Sequence, residues 1–197
     1  MKTILLLLAT TMVISLNAQY KIKCEVRIDN QNMAYTSLIG DNASKTFFKM
    51  EGVDMILLNL ANKRTYSLMP EELMAIKLGQ DMFDTLEVCN CTFVKTGSKK
   101  IILGYSCEEY IQKCTSPKGA SEVNIWYAGS LNFNSNLITP LRGYISNSST
   151  RPKGFPLLHE GKLSNGSKVK FEVISILKQE IKASEFLIPK EYTTIGY

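Results

Sequence analysis

The sequence predicts a mainly β protein: a single curved antiparallel sheet with a small helical cover. Three observations carry that expectation. Residues 20–28 alternate strictly between apolar and charged side chains, the period-two signature of a strand with one dry and one wet face. Apolar runs of strand length recur at short intervals as far as residue 177, and several are joined by brief polar links suited to antiparallel neighbours. Strands do not alternate with helices and no segment repeats, which argues against a parallel βαβ layout. A closed sandwich is the competing arrangement.

The elements follow in chain order. Met1 and Lys2 form a short basic start, residues 3–16 are apolar and almost uncharged, and Asn17-Ala18 ends on a small residue. Residues 1–18 therefore read as a cleaved secretory signal peptide, with Leu16 departing from the small side chain preferred there. Residues 19–197 are expected to form a single β-rich domain, since 45% apolar content over 197 residues leaves enough for one core once the signal is set aside. In the first strand Tyr20, Ile22, Cys24, Val26 and Ile28 share a face, so Cys24 points inward. Further strands are expected over residues 45–50, 54–60, 64–68, 87–95, 100–112, 122–127, 157–163 and 168–177. Asn62-Lys63, Thr96-Gly97-Ser98 and Ser164-Asn165-Gly166 would close hairpins at about residues 54–68, 87–112 and 157–177. The alternation of Val169, Phe171 and Val173 breaks at Ile174, which predicts a bulge or a strand buried on both faces.

Two segments interrupt the strands. Residues 70–79 open on Pro70 with acids in the first turn and close on Lys77 and Gly79, which predicts a short amphipathic helix. Residues 132–143 place Phe133, Leu137, Ile138 and Leu141 at helical spacing, but Pro140 and the Asn and Ser residues allow only a broken helix or a lid-like loop. Residues 143–155 are rich in Ser, Asn and Gly and are the expected mobile stretch.

Several functions are disfavoured by what is missing. Without Lys2 the 23 Lys and Arg lose one member and exceed the 18 Asp and Glu by four. The basic doublets Lys63-Arg64 and Lys99-Lys100 stand apart, so no nucleic-acid face is expected. Past the signal no apolar run approaches the roughly 20 residues of a membrane-crossing helix, so no transmembrane segment is expected after cleavage. The first cysteine is Cys24, beyond the cleavage point, so no lipid anchor is indicated. Metal ligation would need a second close pair or histidines beside Cys89-Asn90-Cys91, and His159 is the only histidine, so neither metal nor cofactor is expected. No Gly-x-Ser-x-Gly elbow surrounds a serine, and Glu71-Glu72 and Glu108-Glu109 are adjacent pairs whose side chains diverge. The chain reads as a non-enzyme.

The apolar content is more suggestive. Met50, Met55, Met69, Met74, Met82 and Phe47-Phe48 crowd the first half, and Met adapts to irregular apolar space. Met69, Leu73, Met74 and Leu78 from the first predicted helix region, with Phe133, Leu137, Leu141 and Phe155 from the second interruption, are the candidate lining of an apolar cavity between sheet and cover.

Leu103-Gly104-Tyr105-Ser106-Cys107-Glu108-Glu109-Tyr110 and Phe186-Leu187-Ile188-Pro189-Lys190-Glu191-Tyr192 resemble two segments of an uncharacterised family of exported bacterial proteins, a domain of unknown function. Met50-Glu51-Gly52, Leu131-Asn132-Phe133-Asn134 and Lys153-Gly154-Phe155-Pro156-Leu157 also look like that family's pattern. The family is similar in fold to the periplasmic carriers and outer-membrane receptors of lipoproteins (LolA-like). That resemblance implies a half-open barrel, capped by helices, able to hold acyl chains. No residue here matches a functional position of a known carrier.

All five cysteines lie past the signal, where an oxidising compartment lets disulfides persist. If the 87–112 hairpin turns through Gly97-Ser98-Lys99, Cys89 faces Cys107 within disulfide range, with Cys91 and Cys107 as the diagonal alternative. The sequence as a whole points to a soluble, non-enzymatic envelope protein, periplasmic or secreted, binding a lipid or acyl chain. The competing reading is a structural or protein-interaction module of the envelope, with an envelope protein as partner and a core filled by its own side chains.

Overall fold

The computed structural model describes residues 19–50, 53–60, 64–78, 90–116, 119–132, 137 and 152–196. The signal segment, Cys89, Phe133, Leu141 and the Asn62-Lys63 link lie outside them. Twelve strands among the described residues make one open, curved sheet: β1 (Tyr20–Ile28), β2 (Gln31–Ile39), β3 (Ala43–Met50), β4 (Val53–Leu60), β5 (Thr65–Met69), β6 (Met74–Leu78), β7 (Asn90–Ile102), β8 (Tyr105–Ser116), β9 (Gly119–Ala128), β10 (Phe155–Lys162), β11 (Lys168–Lys178) and β12 (Thr193–Ile195). Their order is β12-β6-β5-β4-β3-β2-β1-β11-β10-β9-β8-β7. Two meanders, β1 to β6 and β7 to β11, are thus joined by antiparallel pairing of β1 with β11. Every neighbour is antiparallel except β12, which runs parallel to β6.

The alternation in β1 produces the expected two faces. Ile22, Cys24 and Val26 are buried, and so are Tyr35 and Ile39 on β2 and Phe171 and Val173 on β11, one continuous cluster on what we call the inner face. Ile174 is the bulge: the β1–β11 register slips between Lys23 and Cys24, and Ile174 is left without a cross-strand partner. The outer face of β2 to β6 carries Leu38, Ile56, Leu58, Tyr66, Leu68 and Ala75. It is covered by the chain after β11, a strap whose Ile181, Phe186, Ile188 and Tyr192 pack onto it before β12 joins the edge of β6. Gly40 lets the strap cross closely, since a Cβ there would lie 3.1 Å from the Phe186 ring, a tight contact that the ring would have to relieve.

The helical cover is barely present among the described residues: a 3-10 turn at Ala183–Phe186 and a single helical residue at Leu137. The helix predicted over residues 70–79 is a turn at 70–73 followed by β6. Leu73 sits at φ 50, which no right-handed helix admits, and its N–H reaches back to the Pro70 carbonyl at 3.4 Å. Met74, Ile76 and Leu78 fit a period of two as well as a helical stripe, and pairing with β5 decides between them.

The 87–112 hairpin also folds differently. Its reversal is the two-residue turn Leu103-Gly104, both at positive φ (51 and 81), the geometry that matches strand twist. Thr96-Gly97-Ser98 instead bulges out of β7 between Lys95 and Lys99. Moving the turn moves every partner: Cys107 faces Lys100, and Cys91 faces Cys114. The disulfide is Cys91–Cys114, with a Cα–Cα distance of 4.1 Å, and Cys107 is a buried free thiol. Both pairings expected for Cys107 are therefore corrected.

Candidate functional site

The register of β2 to β6 builds a grid on the inner face. Along one line lie Tyr35, Phe48 and Met55, continued by the Met69–Met74 pair. Beside it run Ser37, Thr46, Leu57, Ser67, Ile76 and Ile195, each opposite the next. The third line is Ile39, Ser44, Asn59, Thr65 and Leu78. Phe48, Met55, Met69, Met74, Ile76 and Leu78 are only partly buried and Ile195 is 47% exposed, so the half of the grid nearest β6 is a partly buried apolar surface rich in Met.

The other half is dry and polar. Ser37, Ser44, Thr46, Asn59 and Thr65 are all within 4% of complete burial. The Ser37 and Thr46 hydroxyls share a 2.9 Å hydrogen bond, and Thr65 Oγ1 donates to Asn59 Oδ1 at 2.9 Å. Asn59 Nδ2 donates to Ser44 Oγ at 3.2 Å and to the Leu137 carbonyl at 3.4 Å, and Ser44 Oγ also donates to that carbonyl. A buried carbonyl must be satisfied, so two donors from β3 and β4 fix the backbone of Leu137 above the sheet. Its side chain is 2% exposed.

The cavity candidates are thus distributed. Met69, Met74 and Leu78 fall on the accessible inner face through strand pairing and not through a helix. Leu73 lies in the turn between β5 and β6, 47% exposed. Leu137 stands over β3 and β4, and Phe155 is fully buried in the inner cluster. Ile76, Ile195 and the polar row were not singled out from sequence as a site. Their alternation within each strand was visible, but the strand register that aligns them was not.

Ionisable groups of the inner face are held neutral. Burial pushes the Cys24 thiol up to about 12, with a hydrogen bond to Tyr35 opposing it. Burial also raises Cys107. His159, 3% exposed between Phe171 and Ile125, is lowered by burial to about 4. Neutral buried thiols suit packing better than nucleophilic attack. On the outer face Glu25, Arg27, Asn32, Lys170 and Glu172 line a shallow cleft, and Lys170 bridges Glu172 at 2.7 Å and Glu160 at 3.7 Å. Among the described residues no group of three or more His, Cys, Asp and Glu is placed to hold a metal, and no helix is long and apolar enough to cross a membrane.

Residues 5–192 match a family described as a domain of unknown function, DUF4412. The chain belongs to that family. No curated protein matches it. Among solved structures it is similar to MucB in complex with MucA(peri), at 7% identity and a TM-score of 0.47 over 91% of this chain. It is similar also to the Pseudomonas aeruginosa MucA/MucB complex, at 8% identity and a TM-score of 0.48 over 91% of this chain. The chain spans 57% and 59% of those two chains. A LolA superfamily protein from Nitrosomonas europaea is similar at 11% identity and a TM-score of 0.39, over 87% of this chain and 90% of that one. The DUF4412 match agrees with the family resemblance drawn from the Leu103–Tyr110 and Phe186–Tyr192 motifs.

Proposed function

We propose that this DUF4412 chain is an exported, non-enzymatic envelope protein that holds an apolar ligand, a lipid or acyl chain, against the inner face of its sheet. One observation carries the reading: Phe48, Met55, Met69, Met74, Ile76 and Leu78 form a contiguous, partly open apolar surface across four strands. Flexible thioethers adapt to a chain of variable shape. Leu137, pinned over β3 and β4, stands at one side, and Leu73 marks the rim. The Cys91–Cys114 disulfide suits a periplasmic or secreted location, as does the signal peptide read in residues 1–18.

The test is binding of a fluorescent fatty acid to the purified protein. Met74→Glu combined with Ile76→Glu should weaken binding at least roughly tenfold, about 1.4 kcal/mol, and leave the thermal midpoint within a few degrees because both side chains are partly exposed. The competing reading, an interaction module with a filled core, gains support if the unmodified protein takes up no probe and copurifies with no lipid.

A further inference from the structure

The outermost strand of the second meander, β7, is an open edge. Among the described residues β7 pairs only with β8, and its backbone makes no other hydrogen bond to the rest of the chain. At the far edge, β12 covers β6. Which groups of β7 point outward follows from the ladder. The Cys91–Cys114 Cα–Cα distance of 4.1 Å marks a pair without mutual hydrogen bonds, so Cys91, Phe93 and Lys95 aim N–H and C=O away from β8. The Leu103-Gly104 turn leads to the same alternation from the other end: Ile102 and Tyr105 close the turn, which leaves Lys99 and Ile101 outward. Two short ladders of free backbone groups therefore flank the bulge at residues 96–98.

The charged side chains along this edge are all basic, and exposed apolar ones stand among them. Val94 is 52% and Ile101 69% exposed. Lys95, Lys99 and Lys100 lie within six residues, and β7 carries no acidic side chain. Glu108 alone answers two of them, at 2.7 Å from Lys95 and 3.7 Å from Lys99. Among the described residues Lys100 meets no carboxylate, and it lies 4.0 Å over the Trp126 ring. Edge lysines and a bulge commonly prevent pairing between identical edges. Here they do so selectively, because a second copy paired antiparallel about Gly97 would set Lys95 against the other copy's Lys99, and like charges directly opposite are destabilising. An acidic strand meets no such barrier.

We propose that the open edge of β7 docks an extended acidic segment of a partner protein, which joins the sheet as a further strand. Backbone bonding at Cys91, Phe93, Lys95, Lys99 and Ile101 gives the affinity, and the three lysines select the charge. The inner-face ligand is a separate matter, and either reading can fail without the other.

Trp126 is the chain's one tryptophan, so its emission reports on Lys100 directly. The experiment titrates the whole protein with a peptide of roughly ten residues alternating Val and Glu, a strand-length probe, and with its Val/Lys counterpart. The acidic peptide should shift Trp126 emission and bind at least roughly tenfold tighter than the basic one, with affinity falling as salt rises. Lys95→Pro removes an outward N–H without breaking a bond to β8 and should abolish binding. The doubly reversed Lys95→Glu, Lys99→Glu protein leaves the backbone intact and should prefer the basic peptide. Equal binding of both peptides, binding of neither, or an unchanged preference in the reversed protein overturns the proposal. So does a dimer of the free protein that Lys95→Pro dissolves, because a second copy would then own the edge.

Discussion

His159 ties the stability of the fold to pH. It lies on β10 between Phe171 and Ile125 and is held neutral by burial, its value lowered from 6.5 to about 4. The unfolded chain binds a proton as pH falls below about 6.5, while the folded chain does not until about 4. Stability is therefore complete above the unfolded value and declines as pH drops through that window, by roughly 3 kcal/mol across the whole of it. Denaturant midpoints at pH 7.5 and 4.5 should separate more for the unmodified protein than for His159→Leu; equal separations would show that His159 does not titrate on unfolding. The sequence placed this residue in a strand but could not show its depth, which comes from neighbours on β9 and β11. Cys24 was legible because alternation within its own strand fixes its direction, and it is 2% exposed. The partner of Cys107 was not, because it depended on where a turn forms some residues away.

At the scale of elements, strands whose pattern was internal were readable. Residues 20–28 are β1 as expected, and the 54–68 and 157–177 hairpins form as β4–β5 and β10–β11. Residues 70–79 misled because a helical stripe and a strand alternation coincide there, and the deciding contact, with β5, is a matter of pairing. The strap and β12 gave no local sign: their partners lie more than a hundred residues away. The β7–β8 hairpin is the element whose stability depends most on a covalent link. Cys91–Cys114 spans a separation of 23 residues, and closing such a loop restricts the unfolded chain by about 3 kcal/mol. Cys91→Ala with Cys114→Ala should lower the denaturation free energy by about that amount. A change under about 1 kcal/mol would mean that the hairpin is already ordered in the unfolded ensemble.

At the scale of the molecule the question is whether two meanders unfold as one. They share the β1–β11 ladder, and the strap adds a second link, since it leaves β11 in one meander and packs on β3 to β6 of the other. Gln19 tightens the crossing: its carbonyl accepts from Gln179 N at 3.0 Å, and its side-chain oxygen accepts from Ile181 N. Trp126, on β9, reports on the second meander alone, whereas far-UV circular dichroism reports on all strands. Leu58, on β4 in the first meander, is 1% exposed beneath the strap cluster. Leu58→Ala should cost about 2–5 kcal/mol. If ladder and strap couple the halves, that cost appears as the same midpoint shift in Trp126 emission as in circular dichroism, although Trp126 touches no residue of the first meander's outer cluster. A dichroism midpoint that falls while the Trp126 midpoint stays would show the meanders to be independent. The inner-face grid of β2 to β6, which lies in the first meander, could then open without disturbing the β7 edge.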